Sequence, residues 1–312
     1  MSSDAKLLLV CPTLNPGEGF EEWRCAVDAQ TISPHRVLIV DSSSDDDTVV
    51  NARRAGYEVI QIKRDEFNHG ATRDLALRQR QDERYVVFLT QDAVLSSADS
   101  LENLIRPFEN QEVAAVCGRQ LPKANATDIE AHARIYNYKS QSFVRSLEDR
   151  RVLGLKAAFL SNSFSAYRAS ILDRLGGFPE TVVFGEDMYV AAKILLAGYE
   201  IAYASDACVY HSHGYSFAQE FRRYFDMGVF HAREPWLRRE FGSAEGEGIR
   251  FVKSEINYLF RHAFWRIPEG MLRTVIRYTG FRLGLAESHL PTRLKAMMSM
   301  SPGYFTNSNC PV

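Results

Sequence analysis

Residues 85–95 read YVVFLTQDAVL, and this stretch decides the fold. Its apolar run from Tyr85 to Leu89 has no polar break, as expected of a strand buried on both faces of a sheet. Thr90, Gln91 and Asp92 follow directly, so a carboxylate leaves the carboxyl end of a hydrophobic strand. Similar runs occur at Lys6 to Cys11, Arg36 to Val40, Tyr57 to Ile62 and Val113 to Cys117, separated by helical or turn-rich stretches. The alternation predicts an α/β fold with an open, mostly parallel sheet flanked by helices. Such sheets bind ligands outside the carboxyl ends of their strands. Pro12, Thr13 and Asn15, then Asp41 and Ser43, then Gln91 and Asp92 all fall at such ends, which points to one shared crevice.

The 312 residues suffice for one large α/β domain with an appendage. With 37 Lys+Arg against 39 Asp+Glu the net charge is −2, which argues against a dedicated nucleic-acid binder relying on phosphate neutralisation. The charge is uneven: Ser216 to Val312 holds 14 basic and 9 acidic residues, about +5, and the rest, with 23 and 30, about −7. Cys11, Cys25, Cys117, Cys208 and Cys310 are far apart without a CxxC spacing, so neither a disulfide framework nor a zinc site is expected. No apolar run approaches the roughly 18 residues that span a bilayer. A cytoplasmic protein in a reducing compartment is expected.

Past Ser216 the pattern turns to long helical segments, Phe217 to Phe241, Gly248 to Trp265 and about Glu269 to Leu285. A boundary near Gly214 separates a catalytic region, 1–215, from a helical region, 216–312. Basic and aromatic residues interleave there, as in WLRR and NYLFRHAFWR. Two roles remain open for these helices: packing on the catalytic region or a second subunit, and contact with anionic headgroups at a membrane surface.

Asp41 ends the strand RVLIVD and precedes SSSDDDT; it is either an acceptor for the imide N–H of a pyrimidine or a helix cap. In FNHGATRD, Gly70 permits close backbone approach and Arg73 suits a base or diphosphate; a glycine turn with a solvated arginine is the alternative. Asp92 suits a hard cation such as Mg²⁺ or Mn²⁺. His211 and His213, two apart on a strand-like segment, share a face and complete such a site, unless they merely face solvent. Glu186 and Asp187 open a helix; the dipole alone favours carboxylates there, yet a general base needs one held at a crevice rim.

Taken together, PTLN at Pro12 to Asn15, VDSSSDDDT at Val40 to Thr48, GATRD at Gly70 to Asp74, TQDA at Thr90 to Ala93, GED at Gly185 to Asp187 and HSH at His211 to His213 resemble the family 2 glycosyltransferases in order and spacing. The resemblance covers about residues 5 to 215. It implies the GT-A fold, with a Rossmann-like sheet and here a C-terminal helical extension, and inverting transfer of a sugar from a nucleotide donor to a hydroxyl. FNHGATRD with FLTQDA resembles the bacterial rhamnosyltransferase branch, which implies a dTDP-L-rhamnose donor and a surface-polysaccharide or lipopolysaccharide acceptor. The family's D-x-D reads Thr90-Gln91-Asp92, so only Asp92 carries over as a metal ligand, with His211 or His213. The resemblance further implies that Pro12, Thr13, Asn15, Asp41, Ser43, Gly70, Arg73, Gln91 and Glu186 surround the nucleotide sugar, and that Asp187 is the base. It places a glycolipid acceptor, and with it peripheral contact, at the inner membrane; a homo-oligomer also fits.

Nucleotidyl transfer is disfavoured because the loop after the first strand, PTLNPGEGFEEW, is acidic rather than a basic phosphate cradle. No G-x-G-x-x-G follows that strand, against a dehydrogenase. A non-catalytic nucleotide-sugar sensor is opposed by the presence of both Asp92 and Asp187.

Overall fold

The computed structural model describes residues 6–242 and 246–306. Its centre is one sheet of nine strands: β1 (Leu7–Thr13), β2 (Arg36–Asp41), β3 (Glu58–Gln61), β4 (Tyr85–Leu89), β5 (Val94–Leu95), β6 (Val113–Leu121), β7 (Phe143–Arg145), β8 (Phe164–Arg168) and β9 (Glu200–Tyr210). The order is β3-β2-β1-β4-β8-β6-β9-β5, with β7 pairing β9. β3, β2, β1 and β4 are mutually parallel, as the apolar runs led one to expect. β8 enters antiparallel between β4 and β6, and β6 pairs parallel with β9.

The parallel strands are covered on both faces. Leu8, Val10, Leu38, Val40, Val86 and Phe88 pack into one core layer, and Leu7, Leu9, Cys11, Ile39, Val87 and Leu89 into the other. That alternation is the two-residue period of a pleated strand. In register, Thr13 lies beside Asp41, so these two strands deliver their last polar residues to the same place.

β8 carries no apolar run, yet all five of its residues are buried. Its polar groups are satisfied by tertiary contacts. The Arg168 guanidinium donates to the carbonyls of Val113, Phe108 and Asn110 at 3.2, 3.0 and 3.2 Å, and Ser165 donates to Asn162 Oδ1 at 2.8 Å.

The expected helix from Phe217 to Phe241 is two helices, Phe217–Arg233 and Pro235–Phe241, because Pro235 has no N–H to continue the ladder. Glu247–His262 and Ile267–Leu285 follow, joined by a single 3-10 turn. Phe217–Arg233 and Ile267–Leu285 cross with their backbones in close approach: a Cβ on Gly284 would sit 2.1 Å from the Phe225 carbonyl, and one on Gly228 2.3 Å from that of Phe281. Phe230, Leu237 and Phe241 enter the same core layer as Leu8 and Phe88. The change near Gly214 is therefore a change from sheet to helices without a break in the core. Cys11, Cys25, Cys117 and Cys208 are free thiols; Cys310 lies outside the described residues.

Candidate active site

β4 ends at Leu89, and the turn beyond it carries Asp92 to the crevice. His211 and His213 follow β9 rather than lying on it, and their rings meet edge to face at 4.3 Å. His211 Nε2 is 3.2 Å and His213 Nδ1 3.4 Å from Asp92 Oδ2. Among the described residues these three form a group whose ligand atoms all lie within 4.8 Å of one another. His211 is 2 % exposed, so the solvent-facing alternative fails for it. Its Nδ1 sits 2.8 Å from Gln120 Oε1 and must donate to that carbonyl, which leaves the Nε2 lone pair facing Asp92. Burial holds both imidazoles below their ordinary range, and Asp92 remains well below the ordinary carboxylate range despite its own burial. Neutral nitrogens beside an ionised carboxylate are the donor set a divalent transition ion takes.

Glu186 and Asp187 open the helix Glu186–Leu196, turned into place by Gly185 at φ +75°. Their environments differ. Glu186 is buried and pairs with Arg73 Nη1 at 3.1 Å. Burial alone would raise its pKa, but the charges of Arg73 and His69 and the Asn162 hydrogen bond hold it low. Asp187 has no cationic partner within ion-pair distance among the described residues; it accepts from the Met188 N–H at 2.8 Å and the Asn162 N–H at 3.4 Å. Burial and the adjacent Glu186 charge push its pKa up to about 7. One of the two carboxylates is thus neutralised in place, and the other is poised to take a proton near neutral pH.

The segment Ser161-Asn162-Ser163 joins these two centres. Ser161 Oγ accepts from Gln120 Nε2 at 3.0 Å, behind His211. The Asn162 amide donates to Glu186 Oε1 at 3.1 Å, and its oxygen accepts from Ser165 and the Tyr167 hydroxyl at 2.8 and 2.7 Å. The Ser163 carbonyl accepts from the Thr90 N–H at 3.2 Å. Gln120 and Asn162 escaped sequence reading: each is a lone amide beside or within a strand, a pattern shared with ordinary turns.

The residues expected around the nucleotide also make contacts within the protein. Gly70 donates its N–H to the Asn68 cap at 2.9 Å, and a Cβ there would lie 1.8 Å from the Pro179 carbonyl, so glycine is required by packing. Arg73 is 4 % exposed and committed to Glu186 and, at 2.9 Å, to the His69 carbonyl, rather than solvated. Asp41 is fully buried, and its carboxylate accepts from Thr13 Oγ1 at 2.9 Å, Ser44 Oγ at 2.6 Å and the Ser44 N–H at 2.9 Å. It shapes the loop in this structure, with two of these donors on Oδ1 and one on Oδ2, which keeps a further lone pair. Ser43, at φ +59°, donates to the Ile62 carbonyl at 2.8 Å. Asn15, at φ +45°, accepts from the Asp45 N–H at 2.7 Å, just past Pro12 and Thr13 at the end of β1, where Thr13 donates to Asp41. Gln91 closes a two-point clamp on Leu14, accepting from its N–H at 2.7 Å and donating to its carbonyl at 3.1 Å. At the D-x-D position, then, the middle residue locks the metal loop to the PTLN loop.

Residues 9–176 match the family model Glycosyl transferase family 2. The chain is 46 % identical over 300 residues to the O-antigen chain rhamnosyltransferase WbaN of Salmonella anatum, covering 96 % of this chain and 95 % of that protein. It is 45 % identical over 303 residues, 97 % and 96 % of the two chains, to the O-antigen chain rhamnosyltransferase RfbN of Salmonella typhimurium strain LT2. Among solved structures, a mannosyltransferase from Pyrobaculum calidifontis in complex with GDP-Man and Mn²⁺ shares the fold with a TM-score of 0.56 at 20 % identity, over 96 % of this chain and 85 % of that one. The fold is GT-A, as the motifs implied, and the chain belongs to glycosyl transferase family 2.

Proposed function

We propose that this enzyme transfers L-rhamnose from dTDP-L-rhamnose to a hydroxyl of a lipopolysaccharide O-antigen precursor. The donor and acceptor follow from the two relatives named O-antigen chain rhamnosyltransferases, which align along nearly their whole length. The observation that carries the chemistry is the asymmetry of Glu186 and Asp187: one carboxylate is held by Arg73, the other has its pKa raised to about 7. Asp187 takes the proton of the acceptor hydroxyl as its oxygen attacks the sugar's anomeric carbon from the face opposite the diphosphate, which inverts that centre. Glu186 and Asn162 hold Asp187 in position. Asp92, His211 and His213 fit Mn²⁺ or Mg²⁺, which when bound supplies positive charge to the departing diphosphate. Thr13 and Asp41 shape the wall against which the base sits.

Work on a lipid-linked precursor of this kind is expected at the cytoplasmic face of the inner membrane. No helix among the described residues is long and apolar enough to cross a membrane. Phe260, Phe264, Trp265, Met271 and Val275 are more than half exposed, with Arg261 and Arg266 interspersed, a composition suited to an anionic interface. Co-sedimentation with anionic liposomes, lost at high salt, is expected; a dimer in solution with no liposome binding assigns that face to a second copy.

Incubating the purified enzyme with a panel of nucleotide sugars and Mn²⁺, and following release of nucleoside diphosphate, tests the donor. Release from dTDP-L-rhamnose well above that from UDP-glucose supports the reading, and preference for a UDP-hexose overturns it.

A further inference from the structure

Two half-buried arginines near the loop that carries His213 have no carboxylate within ion-pair distance among the described residues. Arg134 lies one turn beyond Glu130 on the helix Asp128–Asn137, so the two share a face. Glu130 Oε1 packs on the loop after β9, where a Cβ on Gly214 would lie 3.1 Å from it. Arg134, on the same face, comes within electrostatic reach of Tyr215, Asp92 and Arg223. Arg223, on the helix Phe217–Arg233, has its guanidinium 5.7 Å from the Tyr215 ring centre and 5.0 Å from that of Phe184. Tyr215 stacks on His213 at 4.9 Å, and Phe184 stands three residues before Asp187. Arg223 thus spans the metal loop and the base loop.

Among the described residues, neither guanidinium has a hydrogen-bond acceptor or an acid within ion-pair distance. The contrast with the neighbouring helix is direct: Arg273 and Arg277 both bind Glu220, at 2.8 and 2.6 Å. Holding two half-buried cations near each other is unfavourable unless an anion completes the site. Arginine's planar fork matches phosphoryl oxygens.

We propose that Arg134 and Arg223 form a clamp on the donor's diphosphate, taking the non-bridging phosphoryl oxygens that gain charge during transfer. The clamp presupposes the nucleoside-diphosphate donor proposed above. As the acceptor oxygen bonds to the anomeric carbon, its proton goes to Asp187. The bond from that carbon to the diphosphate oxygen breaks, and its electron pair leaves with the diphosphate. Negative charge builds on the side of the crevice where the two guanidiniums converge. Arg223 lies beyond the matched residues 9–176, so the helical region contributes to the donor site.

The test is calorimetric titration of the full chain, in Mn²⁺, with dTDP, inorganic pyrophosphate and thymidine. R134Q and R223Q keep most of the side chain packed against the aromatic rings, and R134K and R223K keep the charge. Each Gln variant should melt with the wild type and lose affinity for dTDP and pyrophosphate by roughly ten- to hundredfold, as expected for a charge-assisted hydrogen bond, with thymidine unchanged. The Lys variants should recover part of the loss. Gln variants that bind dTDP as tightly as wild type, or that lose thymidine equally, overturn the clamp and leave the donor reading intact. A wild-type enzyme that binds neither dTDP nor pyrophosphate overturns both.

Discussion

The side-chain amide of Asn162 donates to Glu186 at 3.1 Å while its backbone N–H donates to Asp187 at 3.4 Å, so one residue fixes both carboxylates of the base loop. Its oxygen also receives the buried hydroxyls of Ser165 and Tyr167. Asn162→Ala strips partners from Glu186, Ser165 and Tyr167 at once. A loss of about 1–3 kcal/mol of stability is expected from leaving such groups unsatisfied, with a fall in turnover of tenfold or more. An unchanged denaturant midpoint together with unchanged kcat would show that Asn162 is a bystander.

Gln120 acts on the metal site through His211. Removing a carbonyl that orients a liganding imidazole typically lowers metal affinity by roughly ten- to hundredfold. Gln120→Ala should show that loss in a Mn²⁺ titration while the fold persists. Mn²⁺ affinity equal to wild type would mean that His211 needs no such support.

The raised pKa of Asp187 sets a pH dependence with a definite sign. Its base form is lost as pH falls through about 7, so kcat/KM should drop tenfold per pH unit below that value. The stability effect runs the other way. Because the folded state holds the proton to higher pH than the unfolded state does, stability falls as pH rises from the ordinary carboxylate range to about 7. Asp187→Asn lacks that loss, so its melting temperature relative to wild type should rise between pH 4 and pH 8. A constant difference across that range would contradict the shift.

The helical region should be as sensitive as the sheet. A side chain at Gly284 meets the Phe225 carbonyl at 2.1 Å, and neither helix backbone has room to yield. Gly284→Val should lower stability by about 1–3 kcal/mol or more, as overpacking does. Thermal melting checks this, and an unaltered midpoint would show that the helices separate freely.

Much of this was legible in the sequence wherever a run of apolar residues ended in a polar one. β1, β2 and β4 announce themselves by continuous burial, and Thr13, Asp41 and Asp92 by terminating them. β8 was not legible, because Ser165 and Arg168 are buried only by virtue of partners distant in sequence: Arg168 reaches carbonyls of 108–113. Gly70 and Gln91 lie in segments that signal a nucleotide site, but the groups they contact, Pro179 and Leu14, are set by tertiary packing. Arg73 was expected to meet the nucleotide; its partner Glu186, 113 positions away, becomes visible only when the helix Glu186–Leu196 docks.

The central claim is that Asp187, and not Glu186, is the base. Losing a positioned general base typically slows the reaction by roughly 10² to 10⁴ without weakening donor binding. The most direct measurement compares Asp187→Asn with wild type for dTDP affinity and for single-turnover transfer from dTDP-L-rhamnose. Unchanged affinity with transfer reduced by at least about a hundredfold is the expected result. Near-normal transfer by Asp187→Asn, with Glu186→Gln inactive, would contradict it.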